Sequence, residues 1–473
     1  MRPRLRHLVV VVPGIGGSVL HTADRAARWD EHRRRFVAAA TRPHRLGLDA
    51  QPDLVPVGLL PDITLVGPFV TPGYDALVRG ITRHFDGVRI DVARPGKPRD
   101  LQADLLLFPY DFRRGVQHAA ARLAAEIADR LSGEHPSARH RRVIVVAHSL
   151  GGLVARHWLG PLGGAPQCAA LITLGTPHRG APKALDVLVN GLKVGPKRLS
   201  RLTDVLRQWP SVYELLPRYP AVGRPDGTPP LRPHELPAGD LLAPAFLTGA
   251  KAAFAVHQDI EAAWTDLDRP PDLTAVFGRG HATLQHALLS PGGLTLAKTS
   301  APWLPNPSWL GDGTVPAISA VPLELGEDLR VRRAVPDRHL ALPASATVLA
   351  LLTEYAGDSL TAVRGDPPDR PWLGLDVDDT ALSGTPVPVG VTLHGTPADE
   401  RTRVRLRLRT ADTTPPWQPC PRSGDTTWQT TLLPPGPGTY TLDVMATGIP
   451  VTSRLRTGEV LGVLDAEALG AES

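Results

Sequence analysis

Two hydrophobic periods divide the chain. Up to about residue 357, short apolar runs alternate with segments whose apolar residues fall three and four apart. The runs at 7–12, 105–108, 143–146, 170–174 and 273–278 predict strands buried on both faces of a parallel sheet, and 329–335 reads as the last core strand. Between them, Val116, Ala120, Leu123, Ile127 and Leu131 form an apolar stripe closed by Gly133, which predicts an amphipathic helix. Shorter helices are expected over 73–81, from Leu150 through Leu153, Val154 and Trp158, and over 344–355. Strand and helix in alternation give an α/β class with a mostly parallel sheet.

Two stretches interrupt that alternation. Residues 19–70 are rich in Arg, His, Pro and turn signals, with Trp29 and the apolar patch 59–66. They read as an excursion, serving either as a cover near the site or as an irregular surface loop. Residues 183–270 mix helical pieces with proline breaks and have the length of a cap insertion. The expected first domain therefore spans 1–363. A Gly/Pro/Asp-rich linker at 364–371 follows it, and then the period changes to two. Val387, Val389, Val391 and Leu393 alternate, as do Val404, Leu406 and Leu408, then Tyr440, Leu442 and Val444. Short alternating strands with Gly/Pro turns predict an all-β, immunoglobulin-like sandwich over 372–465, with 466–473 as a tail.

The stretch 143–158 carries the sharpest chemistry. An apolar strand meets Ala147-His148-Ser149-Leu150-Gly151-Gly152 and then a helix, the strand–turn–helix of a nucleophile elbow. Small neighbours are needed because the serine sits on a strained turn and the helix must pass close to the strand. Ala147 stands where a first glycine is usual and is still small. The helix start aims backbone N–H groups at the position where an oxyanion would form.

A second donor is expected from Pro13-Gly14-Ile15-Gly16-Gly17, a glycine-rich loop straight after the first strand. A dinucleotide phosphate loop is excluded there, because the spacing does not match G-x-G-x-x-G and no helical run follows. By analogy the oxyanion donors are the backbone N–H groups of Ile15 and Leu150, with Gly14, Gly16 and Gly151 allowing close approach. Asp312 lies on a tight Gly311-Asp312-Gly313 turn after a late strand. His339 is the only histidine beyond it apart from His394 in the β-rich segment. The order Ser149, Asp312, His339 is that of the α/β-hydrolases. His178, which precedes the acid, reads as structural or substrate-lining. Tyr110, His148 and the pair Asp111 and Arg113 support the site rather than react.

Composition narrows the picture further. The chain has 473 residues, a formal charge of +5 and two cysteines, Cys168 and Cys420, in different expected domains. The charge predicts no nucleic-acid binding. Two cysteines are too few for a disulfide framework, which fits a reducing compartment. The basic start ends at Pro13-Gly14 without a small-residue cleavage site, and no run is long enough to cross a bilayer, so the expectation is a cytoplasmic protein. The Arg, Ala and Pro bias suits a GC-rich bacterial gene. No metal cluster or cofactor fingerprint appears, and none is expected. Arginines 401, 403, 405, 407 and 409 share one face of a strand. A transient contact with an anionic membrane surface or an acidic partner is one reading of that face; a solvated sheet face is the preferred one.

Taken together, Pro13-Gly14-Ile15-Gly16-Gly17, Pro109-Tyr110-Asp111-Phe112-Arg113, Ala147-His148-Ser149-Leu150-Gly151, Leu174-Gly175-Thr176-Pro177 and Gly311-Asp312-Gly313-Thr314-Val315 resemble the lecithin:cholesterol acyltransferase group, which includes lysosomal phospholipase. The resemblance covers about residues 7–357 and is most specific at the Tyr110 and Asp312 stretches. It implies an α/β-hydrolase with a cap and lid, acting on the acyl ester of a glycerolipid. Phe112 stands where that group commonly has Trp, no cysteine pair is present to staple a lid within 19–70, and the sandwich is additional.

The expected function is thus a serine lipase or phospholipase, or an acyltransferase working through the same acyl-enzyme. Two other readings remain at this point. One is an esterase or thioesterase for small soluble acyl groups; the other is a non-catalytic hydrolase scaffold whose sandwich binds a partner, of a kind the sequence leaves unknown.

Overall fold

The computed structural model describes residues 2–30, 35–63, 71–72, 74–132, 142–237, 244–290, 293–304, 310–326, 328–356, 371–410, 412–465, 467 and 469. Gly73, Gly133, Trp309, the 64–66 part of the apolar patch, residues 364–370 of the expected linker and most of the 466–473 tail fall outside them.

The first part is an α/β-hydrolase fold built on a seven-stranded sheet. Its strands are β1 (Leu8–Val12), β2 (Ile90–Val92), β3 (Leu105–Leu107), β4 (Val143–His148), β5 (Cys168–Leu174), β6 (Asp272–Gly278) and β7 (Arg332–Val335). They lie in the order β7-β6-β5-β4-β1-β3-β2, and every pairing is parallel. The β-branched runs do what two-sided burial requires. Val10, Val12, Val145 and Ala147 face one hydrophobic core, while Val9, Val11, Ile144 and Val146 face the other.

Helices cover both faces. Those that concern the site are α1 (Tyr74–His84), α2 (Val116–Leu131), α3 (Leu150–Leu159), α4 (Pro182–Asn190), α5 (Pro244–Thr265) and α6 (Ala346–Ala356). Tyr74, Leu77 and Ile81 of α1 pack with Val348, Leu351 and Leu352 of α6 on one face; α2 and α3 pack on the other. The strand order reverses between β1 and β4, so the crevice at their C-terminal ends is where this architecture places a ligand.

The structure differs from the sequence expectations in several places. The last core strand does not begin at Leu329: Leu329–Val331 is a 3-10 turn whose start is capped by Asp328 accepting the Arg330 N–H, and the strand holds only the four residues of β7. The short edge strand β2 has no apolar run to announce it, since its centre is Asp91. Within 183–270, helix α5 packs on α3 and leads the chain back to β6, so part of that stretch is a sheet crossover. The 19–70 excursion has order of its own, a three-stranded sheet pairing Ala27–Trp29, Ser18–His21 and Val55–Leu59.

The C-terminal part is all-β. Its strands are β8 (Trp372–Asp376), β9 (Thr380–Leu382), β10 (Val387–His394), β11 (Arg403–Arg409), β12 (Gln418–Cys420), β13 (Thr427–Leu432), β14 (Gly438–Ile449) and β15 (Thr452–Leu464). They form sheets β8-β10-β13 and β9-β15-β14-β11-β12 around one shared core that includes Val391, Trp428, Leu406 and Leu442. Arg401 precedes the arginine strand. Arg407 and Arg409 share the Asp443 carboxylate on the neighbouring strand, so at least part of that basic face is neutralised within its own sheet. Cys168 and Cys420 are both buried free thiols.

Candidate active site

Ser149 stands at the C-terminal end of β4 with φ 52° and ψ −125°, a left-handed conformation that a non-glycine residue holds only at a cost of roughly 1–3 kcal/mol. Two glycines allow it. A Cβ on Gly151 would lie 2.5 Å from the Pro13 carbonyl oxygen, and one on Gly152 would overlap the Thr176 side chain. Helix α3 can therefore start immediately after the serine, wedged between the loops that follow β1 and β5.

Asp312 and His339 come from the far side of the sheet, after β6 and β7. His339 Nδ1 lies 2.7 Å from Asp312 Oδ2, and its Nε2 lies 3.1 Å from Ser149 Oγ. The His339 N–H also donates to the Asp312 carbonyl at 3.0 Å, so the two residues are tied by backbone as well as ring. The other carboxylate oxygen, Oδ1, accepts the N–H groups of Thr314 and Val315 at 2.9 and 2.7 Å. Burial by itself would raise the Asp312 carboxyl. The adjacent His339 ring and these hydrogen bonds outweigh it and hold the group below the usual carboxylate range. With Asp312 ionised, Nδ1 keeps its proton and Nε2 is left to accept from the Ser149 hydroxyl.

The loop after β1 lies against the serine: a Cβ on Gly14 would sit 2.9 Å from Ser149 Cβ. Among the described residues, neither the Ile15 N–H nor the Leu150 N–H donates to a protein acceptor, and Ile15 and Gly16 line the same cavity as Ser149. The loop is held from behind. Tyr110 donates its hydroxyl to the Pro13 carbonyl at 2.9 Å, while its N–H donates to Ser18 Oγ at 2.9 Å.

Tyr74 is a supporting residue that sequence reasoning missed. Its Oη accepts the Gly14 N–H at 2.7 Å and lies 2.9 Å from His148 Nδ1, whose Nε2 is 3.1 Å from the His339 carbonyl. Burial, with His339 nearby, pushes the His148 imidazole down to about 3, so the ring is neutral. The His339 carbonyl can only accept, so the proton of the neutral ring sits on Nε2, and Nδ1 is left to accept from the Tyr74 hydroxyl. The signal in the sequence was only an aromatic residue opening a short helix, and the partners lie 60 and 74 residues away.

Asp111 and Arg113 form a bidentate pair in which Nε and one terminal nitrogen meet the two carboxylate oxygens at 2.8 and 2.7 Å; Arg113 is fully buried. The other terminal nitrogen donates to the Gln51 carbonyl at 2.7 Å, pinning the excursion to the sheet. His178 is buried against Thr173 and does not reach the serine.

The groups around Ser149 open into a cavity of about 180 Å³. Trp29, Ala39 and Leu46 from the 19–70 excursion line it, together with Phe112, with Ala184 and Val187 of α4, and with Leu202, Leu206 and Trp209 beyond that helix. Apart from Ser149, His339, Lys183 and Thr314, the lining is apolar.

Residues 101–229 match the sequence model of the lecithin:cholesterol acyltransferase family, so the resemblance holds over that stretch. It contains Ser149 and the Tyr110–Arg113 motif, but neither Asp312 nor His339. No curated protein matches the chain. Among solved structures, the Bacillus licheniformis lipase BlEst2 in its propeptide form is 10% identical, with 97% of this chain and 94% of that chain covered and a TM-score of 0.35. Its mature form is 18% identical over 41% and 48% of the two chains, with a TM-score of 0.21. The CARDB domain of PF1109 from Pyrococcus furiosus is 12% identical, covering 20% of this chain and 97% of its own, at a TM-score of 0.15. The fold assignment rests on strand order and connection. Among the described residues no helix is long and apolar enough to cross a membrane.

Proposed function

We propose that this protein is a serine hydrolase of lipid acyl esters, with Ser149 as nucleophile, His339 as general base and Asp312 as its orienting acid. The observation that carries the reading is the continuous chain Asp312–His339–Ser149, at 2.7 and 3.1 Å, opening onto an apolar cavity. In the proposed reaction Ser149 Oγ attacks the ester carbonyl as His339 Nε2 takes the hydroxyl proton. The Ile15 and Leu150 N–H groups stabilise the oxyanion, and the proton passes from His339 to the departing alkoxide. Water, or the hydroxyl of a second substrate, then attacks the acyl-enzyme as His339 takes its proton, and that proton returns to Ser149 Oγ as the acyl–oxygen bond breaks. Asp312 stays ionised throughout and steadies the imidazolium.

A lipid substrate is supported by the nearly all-apolar lining and by the match to the lecithin:cholesterol acyltransferase family. A small soluble ester would leave that lining against water, which disfavours the short-chain esterase reading.

The reading is tested by mass spectrometry of products formed from mixed phospholipid vesicles containing a long-chain alcohol, with wild type and Ser149→Ala. Free fatty acid with lysolipid, lost in the variant, is the expected result; a new ester of the alcohol would make the enzyme an acyltransferase. Cleavage confined to short soluble esters would overturn the lipid assignment.

A further inference from the structure

We propose that the C-terminal sandwich works in cis as a clamp on the loops carrying Asp312 and His339, with Asp379 and Glu459 as positioning residues acting through Arg338. The inference rests on the roles proposed above for those two residues, and it gives the sandwich a function inside the same chain rather than as a recruiter of partners.

Arg338 immediately precedes His339 and is almost wholly buried. Its three guanidinium nitrogens all meet the sandwich. One terminal nitrogen donates to the Val377 carbonyl at 3.1 Å, the other to Asp379 Oδ1 at 2.7 Å, and Nε is ion-paired with Glu459 on β15. The same guanidinium lies over the turn of the acid: a Cβ on Gly313 would sit 2.7 Å from an Arg338 terminal nitrogen. Gly313, at φ 90°, leaves that space open. One side chain thus spans the peptide next to His339, the turn next to Asp312 and two sandwich carboxylates.

A second bridge is built independently. The His281 N–H donates to the Gly311 carbonyl at 3.0 Å, its Nε2 donates to the Pro336 carbonyl at 2.9 Å, and its Nδ1 accepts the Leu375 N–H of β8 at 3.1 Å. The Ala282 N–H adds a bond to the Leu375 carbonyl. A neutral imidazole is needed for one nitrogen to donate and the other to accept, and burial provides it by holding His281 down to about 4. Beside it, Arg279 lies over the Trp372 ring at 3.9 Å, and His394 of β10 reaches the Gly280 carbonyl.

Asp379 also accepts Lys183 Nζ at 3.3 Å, and Lys183 is on α4 and lines the apolar cavity. Two carboxylates and two cations therefore close a small ionic cluster that joins the cavity wall, the base loop and the sandwich. A buried charge whose partner is removed is strongly disfavoured. Arg338 keeps its inward position only while the sandwich supplies Asp379 and Glu459. Release of Arg338 displaces the adjoining His339 peptide, and a displacement of about 1 Å at a reacting group is enough to lower a rate about 100-fold.

The test uses the full chain with Asp379→Asn, Glu459→Gln and the double variant. Asp376→Asn is the control, because it removes a largely exposed pair with Lys298 across the same two parts of the chain. Hydrogen exchange of amides in 311–315 and 336–342 is read beside the rate at which a fluorophosphonate labels Ser149. The clamp predicts at least ~10-fold faster exchange in those two loops, unchanged exchange in β4 and β5, and ~10–100-fold slower labelling and turnover with KM within about twofold. The control is expected to behave as wild type. Should the double variant fail to fold, the single variants carry the same expectation in smaller measure. Unchanged exchange in both loops, or equal losses in the control, would overturn the clamp. Failure of wild type to label at Ser149 would instead count against the proposed nucleophile, and the exchange result would still decide the clamp.

Discussion

The Tyr74 hydroxyl accepts the Gly14 N–H at 2.7 Å and meets His148 Nδ1 at 2.9 Å, so one oxygen links the loop in front of Ser149 to the histidine behind it. Through His148 Nε2 the same chain of bonds reaches the carbonyl of His339. Tyr74→Phe keeps the ring packing and removes the oxygen. It is expected to cost about 1–3 kcal/mol of stability, because two buried polar groups lose their partner, and to lower kcat about 10-fold while leaving the protein folded. Denaturant unfolding together with steady-state kinetics checks both.

Gly14 has no room for a side chain beside the serine. Gly14→Ala should push the loop away from Ser149 and move the Ile15 N–H off the developing oxyanion. A loss of ~10²-fold or more in kcat, with little change in KM, is the expected kinetic pattern. If instead KM rose and kcat held, the loop would be a binding element and not an oxyanion donor.

The cavity wall can be moved without touching the proposed triad. Val187 lines it from α4, and Val187→Phe fills part of its ~180 Å³. The ratio of kcat/KM for long-chain over short-chain esters should fall by about 10-fold, a change of the size a single methylene makes in an apolar pocket. Measuring a series of ester chain lengths gives the answer directly.

His257 offers a test of pH dependence away from Ser149, Asp312 and His339. Its Nε2 donates to the Glu214 carbonyl at 2.7 Å, and burial holds the imidazole down to about 4 from an ordinary 6.5. Above about pH 6.5 neither the folded nor the unfolded form carries the proton. As pH falls from there towards 4, only the unfolded chain binds it, and stability drops. His257→Gln keeps a donor but cannot titrate. Between pH 7 and pH 5 the variant should therefore lose about 2 kcal/mol less stability than wild type. Equal losses in the two proteins would mean that His257 takes up no proton preferentially on unfolding.

Much of the frame could be read from the sequence because burial on both faces forces a recognisable pattern. The runs at Leu8–Val12, Val143–His148 and Cys168–Leu174 are apolar for that reason, and the period-two strands of the sandwich are half-buried for theirs. Ser149, Asp312 and His339 stood out through local chemistry: a small-residue elbow, a glycine-flanked acid and a late histidine. The structure brings these three within hydrogen-bonding reach. What the sequence hid lies in contacts between distant segments. Tyr74 sits one helix away from a loop it holds across 60 residues, and Arg338 looks like an ordinary surface arginine until Asp379 and Glu459 close around it. The edge strand Ile90–Val92 escaped because pairing on one side alone imposes no apolar run.

The central claim is that Ser149, activated by His339, forms the acyl-enzyme, and covalent capture tests it most directly. Wild type, Ser149→Ala and His339→Ala would each be treated with a fluorophosphonate and the adduct located by peptide mass spectrometry. A single adduct on the Ser149 peptide is predicted, absent in Ser149→Ala and formed at least ~10³-fold more slowly in His339→Ala. An adduct elsewhere, or undiminished ester cleavage by Ser149→Ala, would contradict the account.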